Sequence, residues 1–264
     1  MAVPLIAFGA HHRPTSVSSQ SLLITDQKIA VSGVDLVPGT DLPLELGVLI
    51  DTSNSRRGSN FGETLKALNQ FVSETMRSPE DRVFLLTFQA TPQMTEWLKK
   101  DQLQKTTVQV GVGGGTALYD SLAIACQQRL GPRDWTKPTR RILVLVSDGD
   151  DNQSRTTRGE AVSEALKSGA VIFTIDTLQI GVVSKGDKIM ADFAELTGGE
   201  SFDGVGRQEI PKVFGSIQEL INRIYYLRYV PPSTPNKALH EVEVKPAPTE
   251  KLKLSYARKY FWNP

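Results

Sequence analysis

Thiol chemistry is almost missing from this sequence: it has one cysteine, Cys126, so no disulfide can form within the chain. That residue lies in a helix-like apolar pattern with no histidine near it in sequence, and it reads as a small buried hydrophobe rather than a nucleophile. A lone cysteine suits reducing and oxidising surroundings alike and leaves the compartment open. An excess of either charge is also missing. Lys+Arg 30 against Asp+Glu 29 gives a formal net charge of +1, which offers nucleic acid or an acidic membrane surface no general footing. No segment approaches the roughly 20 consecutive apolar residues that a spanning helix needs, so no membrane span is expected. Met1 to Ala10 is mildly apolar, but it lacks a basic start and Pro4 interrupts it, so it is not read as a signal peptide. The three histidines, His11, His12 and His240, show no zinc-type spacing, and no Gly-x-Ser-x-Gly elbow occurs. No period of about 20 to 50 residues recurs, which argues against a solenoid or propeller.

What is present is enough for one sizeable core: 264 residues at 39% hydrophobic content support a main domain with room for a small appendage. The organising stretch is Leu46 to Asp51, an unbroken apolar run without helical period, as expected of a strand buried on both faces of a parallel sheet. Arg82 to Phe88, Arg141 to Ser147 and Ala170 to Asp176 read as further strands, with a short one at Gly199 to Phe202 and a short extended piece at Thr106 to Val110. Between them, Gly62 to Met76 places Leu65, Leu68, Phe71, Val72 and Met76 on one helical face. Ala117 to Leu130, Arg158 to Ser168, Lys188 to Leu196 and Glu209 to Arg223 also read as helices. This alternation predicts an α/β fold with a doubly wound, mostly parallel sheet and helices on both faces. Residues 1–41 read as an extended segment with a hairpin over Ser21 to Thr25 and Lys28 to Ser32, and Thr25 to Gln27 as its turn. Residues 42–223 read as the main domain, and residues 224–264 as a β-rich segment packing with the N-terminal strands into a small accessory layer.

The chemistry is expected at the strand ends. Asp51-x-Ser53-x-Ser55 sets one carboxylate and two hydroxyls on alternate residues where the central strand emerges. Hard oxygen donors of this kind suit Mg²⁺, which takes one or two carboxylates and keeps some water. Open α/β sheets also bind their ligands beyond the carboxyl ends of the strands. Thr116 after Gly113 to Gly115, and Asp148 before Gly149, are predicted to lie at the same end of the sheet. Taken singly, each has a structural reading. Asp51 could be a helix cap or an Asx turn, and the three glycines a plain turn or a phosphate cradle, although no Gly-Lys-Ser/Thr follows them. Asp120 is read as a brace between loops, Asp150 and Asp151 as solvated rim charges, Asp176 as a capping acid, and Tyr225, Tyr226 and Tyr229 as strand packing.

With all five positions present, the chain resembles a von Willebrand factor A domain over about residues 44–223. The metal-ion-dependent adhesion site (MIDAS) of that family is built from a DxSxS turn, a distant Thr and a distant Asp. The resemblance implies that Ser53 and Ser55 bind an ion through their hydroxyls, and Asp51 and Asp148 directly or through water. It implies too that Thr116 joins or leaves the inner shell as the site changes state. The implied ion is Mg²⁺, with Mn²⁺ or Ca²⁺ as substitutes. The implied role is adhesion or assembly, without catalysis, in which a protein partner donates an Asp or Glu to the metal. Tyr225 to Tyr229, Leu239 to Val244 and Ala257 to Phe261 are similar to the C-terminal part of a bacterial von Willebrand factor A-related family first noted in Acidobacteria, whose members often look exported. That similarity implies a secreted or periplasmic setting, and Lys259 departs from it where a glycine is expected. Two other readings stay open: metal-assisted phosphoester hydrolysis, for which no base beyond the ligands is identifiable, and a scaffold with an unused site.

Overall fold

The computed structural model describes residues 1–53, 61–103, 105–106, 114–177, 185–233 and 238–262. Four strands precede the central one: β1 (Ala2–Phe8), β2 (Leu22–Asp26), β3 (Ile29–Ala30) and β4 (Asp35–Pro38). Then come β5 (Leu44–Asp51), helix α1 (Phe61–Thr75), β6 (Arg82–Phe88), β7 (Gln93–Met94), the short α2 (Lys100–Leu103), α3 (Leu118–Ile124) and β8 (Arg140–Ser147). The alternation continues through α4 (Arg158–Ser168), β9 (Val171–Asp176), α5 (Lys185–Thr197), β10 (Ser201–Phe202) and α6 (Ile210–Ile221). The chain closes on β11 (Tyr225–Arg228), β12 (Leu239–Pro246), β13 (Lys253–Tyr256) and β14 (Lys259–Phe261).

The central sheet has the order β10-β9-β8-β5-β6-β7, parallel except for the antiparallel edge strand β7. All eight residues of β5 and of β8 are buried, because helices cover both faces and leave neither face to solvent. Leu46, Val48 and Ile50 join Ile142, Val144 and Val146 in one core, against Leu68, Phe71 and Val72 of α1 and Phe214, Ile217 and Ile221 of α6. On the other face Leu49, Leu143 and Leu145 pack with Leu118 and Leu122 of α3, Ala161 and Ala165 of α4, and Phe193 of α5. From β5 the chain steps one way to β6 and then returns to the other side for β8, so the winding reverses between β5 and β8. That reversal leaves a crevice at the carboxyl ends of these two strands.

The two chain ends build more than a small layer. They form two four-stranded antiparallel sheets, β13-β1-β11-β4 and β14-β12-β2-β3, closed around Val3, Leu5, Ile24, Leu227, Tyr229, Val242 and Val244. The strand β1, which the sequence pattern did not reveal, is central to this sandwich. Its other face, Ala2, Ile6 and Phe8, enters the core under α1 and α6. Burial on both faces explains why it lacks the alternation by which a half-buried strand is recognised. The β2–β3 turn falls at Gln27 and Lys28, both with positive φ, as a two-residue hairpin turn requires, rather than at Thr25 to Gln27. The helix expected to end at Leu130 leaves α geometry after Ile124 and continues as a π-type turn over Ala125–Leu130. The extended piece expected at 106–110 lies almost wholly outside the described residues. Among the described residues no helix is long and apolar enough to cross a membrane.

Cys126 is buried beneath this sheet, and burial pushes its thiol up to about 12. Since the thiolate is the reactive form, a thiol reagent at pH 8 is expected to leave the native protein unlabelled and to label it fully in denaturant. Rapid labelling of the folded protein would contradict this placement.

Candidate functional site

The crevice between β5 and β8 receives the ends of both strands. Asp51, only 2% exposed, closes β5. One of its oxygens, Oδ1, accepts the Ser53 main-chain N–H at 2.8 Å, which folds the following turn back over the strand end. The other, Oδ2, accepts the Ser147 hydroxyl at 2.8 Å. Ser147 also accepts the Gly149 N–H at 3.2 Å, so one hydroxyl couples the two strand ends. Sequence reasoning passed over this residue. Its signal was its place directly before Asp148-Gly149 at the end of an apolar strand. Thr52 anchors the turn from the other side, its N–H and hydroxyl both donating to Phe88 O at 2.7 and 3.0 Å.

Asp148 is buried beside this pair, near enough for its charge to act on Asp51. Burial raises the Asp51 carboxyl above its ordinary value. Hydrogen bonds from Ser53 and Ser147 pull it down, and the Asp148 charge raises it again. The next residue, Gly149, has φ +77°, and a Cβ there would lie 2.4 Å from Gly186 O in α5. Only glycine allows the left-handed turn after Asp148 to lie this close to α5.

Thr116 is suspended between two strand ends. Its N–H donates to Asn152 Oδ1 at 2.8 Å, and its carbonyl accepts the N–H groups of Asn152 and Gln153 at 3.0 and 3.1 Å, while the next residue, Ala117, donates to Gln89 O beyond β6 at 2.8 Å. These bonds hold the main chain, and the hydroxyl takes no part in them. A Cβ on Gly115 would meet Asn152 Oδ1 at 2.0 Å, so the glycine before Thr116 permits this close approach. Asn152 and Gln153 were not singled out from the sequence. Their role depends on a contact across about 36 residues that no local pattern announces.

The remaining acids divide. Asp120 accepts N–H groups of Arg155 and Thr156, as a brace between loops should. Burial opposes its ionisation, but these bonds outweigh it and hold the carboxyl below its ordinary value. Asp151 is no solvated rim charge: its Oδ2 accepts Tyr119 N at the start of α3 and the Ser154 hydroxyl. Asp150 is exposed, and its carboxyl is raised by partial burial and by the Asp148 and Asp187 charges. Asp176 is buried and paired in register with Ser147, one strand further from Asp51. Ser55 lies outside the described residues. Asp51, Ser53 and Asp148 therefore share the crevice, and Thr116 is tied to the loop that leaves it. Among the described residues no cluster of three or more His, Cys, Asp or Glu could hold a metal ion. Any ion at this edge would need hydroxyl oxygens as well as the two carboxylates, a donor set suited to a hard divalent cation.

The sequence profile of the von Willebrand factor type A domain family matches residues 46–150. Solved structures with the same fold include an aerotolerance-related membrane protein from Bacteroides fragilis, at 14% identity and TM-score 0.50, covering 68% of this chain and 99% of that one. Proximal thread matrix protein 1 from the mussel byssus, in a structure with a zinc-occupied MIDAS motif, aligns at 15% identity and TM-score 0.57 over 74% of this chain, which spans about half (49%) of the mussel chain. A pilus adhesin from Lactobacillus rhamnosus, in an open conformation, aligns at 12% identity and TM-score 0.52 over 83% of this chain and 35% of that one. A search of curated protein sequences gave no match.

Proposed function

We propose, from the match of residues 46–150 to the von Willebrand factor type A domain family, that this chain is a metal-dependent protein-binding module. In this reading Asp51, Ser53, Ser55, Thr116 and Asp148 hold a divalent ion of the Mg²⁺ type at the carboxyl edge of the sheet, and a partner protein docks an Asp or Glu there. The observation that carries the reading is the pair of buried carboxylates, Asp51 and Asp148, which have no ion pair with any Lys or Arg among the described residues. Two like charges in a low-dielectric crevice are costly unless a cation joins them.

When bound, the ion supplies an electrophile with a coordination position open to an incoming oxygen. The chain's own residues prepare that position. Ser147 and Ser53 fix both oxygens of Asp51, Gly149 turns Asp148 inward, and the Asn152 clasp sets Thr116. Hydroxyls add no formal charge, so a shell in which Asp148 acts through water neutralises only half of a +2 ion. A partner carboxylate would supply the missing oxygen and charge together. Arg155, exposed on the loop after Asp148, is placed to steer an acidic partner, so association is expected to weaken with salt. The adhesin and the zinc-bearing mussel protein are in keeping with this use of the fold.

Calorimetric titration of metal-stripped protein tests the first half of the proposal. Mg²⁺, Mn²⁺ or Ca²⁺ is expected to bind with measurable heat and to raise the melting temperature. Saturation at 100 times Kd is worth about 2.7 kcal/mol. Neither heat nor stabilisation with any of the three at millimolar concentration would end the metal reading. For the second half, partners captured with metal should be released by EDTA, whereas a scaffold would keep them.

A further inference from the structure

At the opposite end of β8, where the central sheet meets the sandwich, the interior holds more positive charge than negative. Arg133, Arg140 and Arg141 are all buried. Arg141 donates from Nε to Glu45 at 2.9 Å, and Glu45 is also paired with Arg82. Arg140 gives its Nε to Leu42 O at 3.0 Å. The acid that acts on it by charge among the buried groups, Asp81, is already bonded to the main-chain N–H groups of Leu44, Arg77 and Ser78. Among the described residues Arg133 is bonded to no carboxylate. Its Nη2 donates to Thr139 O at 2.7 Å, and its guanidinium lies 5.5 Å from the Trp135 ring centre and 6.0 Å from that of Tyr226.

Three kinds of buried donor around this guanidinium have nothing to donate to among the described residues: Arg133 Nε and Nη1, the Tyr226 hydroxyl and the Thr139 hydroxyl. Each such group is costly to bury without a partner. The two Arg133 nitrogens can only donate, and both hydroxyls can donate as well, so one acceptor would serve all of them. Water could accept from two of them, but it would bring no charge: the buried acids near the three guanidiniums are Glu45, shared with Arg82, and Asp81, while the other acids that act on Arg133 and Arg140, Asp134 and Asp41, are exposed. Burial lowers Arg133 to about 10.

We propose that this interface binds one small monovalent anion of the halide class, with chloride as the everyday occupant, between Arg133 and the Tyr226 hydroxyl. Arg133 belongs to the loop before β8 and Tyr226 to β11 of the sandwich, so the anion joins the two parts of the molecule. Its stabilising effect is thus expected to be specific to the ion rather than to ionic strength.

Two measurements test this. In crystals of the unmodified protein grown in bromide, an anomalous peak is expected in contact with Arg133 and Tyr226; an ordered water there, or no density, overturns the proposal. In solution at constant ionic strength, exchanging gluconate for chloride should raise the melting temperature. Tyr226→Phe, which keeps the ring over Arg133 and removes only the donor, should cut that chloride-dependent rise several-fold. A rise of equal size in the variant overturns the proposal. If the variant does not fold, the bromide crystal of the parent still decides.

Discussion

Asp51→Ala is expected to abolish both the metal-induced rise in melting temperature and any metal-dependent partner capture. The substitution removes the carboxylate that ends the central strand and takes hydrogen bonds from both neighbouring segments, Ser53 and Ser147. Outer-shell partners of a metal typically contribute about 10- to 100-fold in affinity, so loss of a direct ligand should exceed that range. Metal-free stability should respond quite differently. Burial and the Asp148 charge already disfavour the ionised Asp51, and alanine relieves that cost while giving up two hydrogen bonds. The metal-stripped variant is therefore expected to melt within a few degrees of the metal-stripped parent. Asp176→Ala supplies the comparison. Asp176 is buried beside Ser147 but outside the proposed ligand set, so its loss should lower stability while the metal response survives. A partner whose affinity survives both EDTA and Asp51→Ala would show that the interaction uses another face.

The second large effect lies in the sandwich. Asp26→Ala is expected to cost about 3–5 kcal/mol, the range for removing one member of a buried charged network. Asp26 is fully buried and accepts the Tyr229 hydroxyl at 2.9 Å, the Tyr260 hydroxyl, and a hydrogen bond with His240 Nδ1 at 3.0 Å. These three partners lie in or beside β11, β14 and β12, so a single carboxylate fastens the N-terminal hairpin to the C-terminal strands. Against a typical domain stability of about 5–15 kcal/mol, the loss should appear as a lower denaturation midpoint or a separate early transition. An unchanged midpoint would show that the network contributes nothing to stability.

The same cluster sets an alkaline limit. Burial pushes both phenols well above their ordinary value of 10.0, reinforced at Tyr229 by Tyr260 and then Asp26, and at Tyr260 by the hydrogen bond and charge of Asp26. The folded state keeps protons that the unfolded chain releases above that pH, so this contribution is intact below about 10 and declines as pH rises further. Alkaline melting curves should reveal the decline, and Tyr260→Phe should reduce it.

How much of this was legible in advance depended on the range of the interactions. The β5 and β8 strands announced themselves because burial on both faces demands unbroken apolar runs. The helix α4 announced itself through its periodicity and its stop at Gly169, where the chain turns left-handed. Asp51, Ser53 and Asp148 could be read because a strand-end position is a local property. Sequence by itself thus determined the alternating α/β main domain and the placement of Asp51 and Asp148 at the carboxyl ends of β5 and β8, the edge at which we propose the chemistry. Tertiary structure decided the rest. It set Ser147 against Asp51, clasped Thr116 with Asn152, took Asp151 away from the rim, and enlarged the expected accessory layer into a sandwich built on β1. Each of these depends on a pairing across tens to hundreds of residues, where the free energy comes from burial and from satisfying buried polar groups that have no partner nearby in the chain. Local pattern carries no record of such partners. Asp26 shows this most plainly: it reads as a turn residue in the sequence, and folding makes it the buried acceptor of two phenols and an imidazole more than 200 residues away.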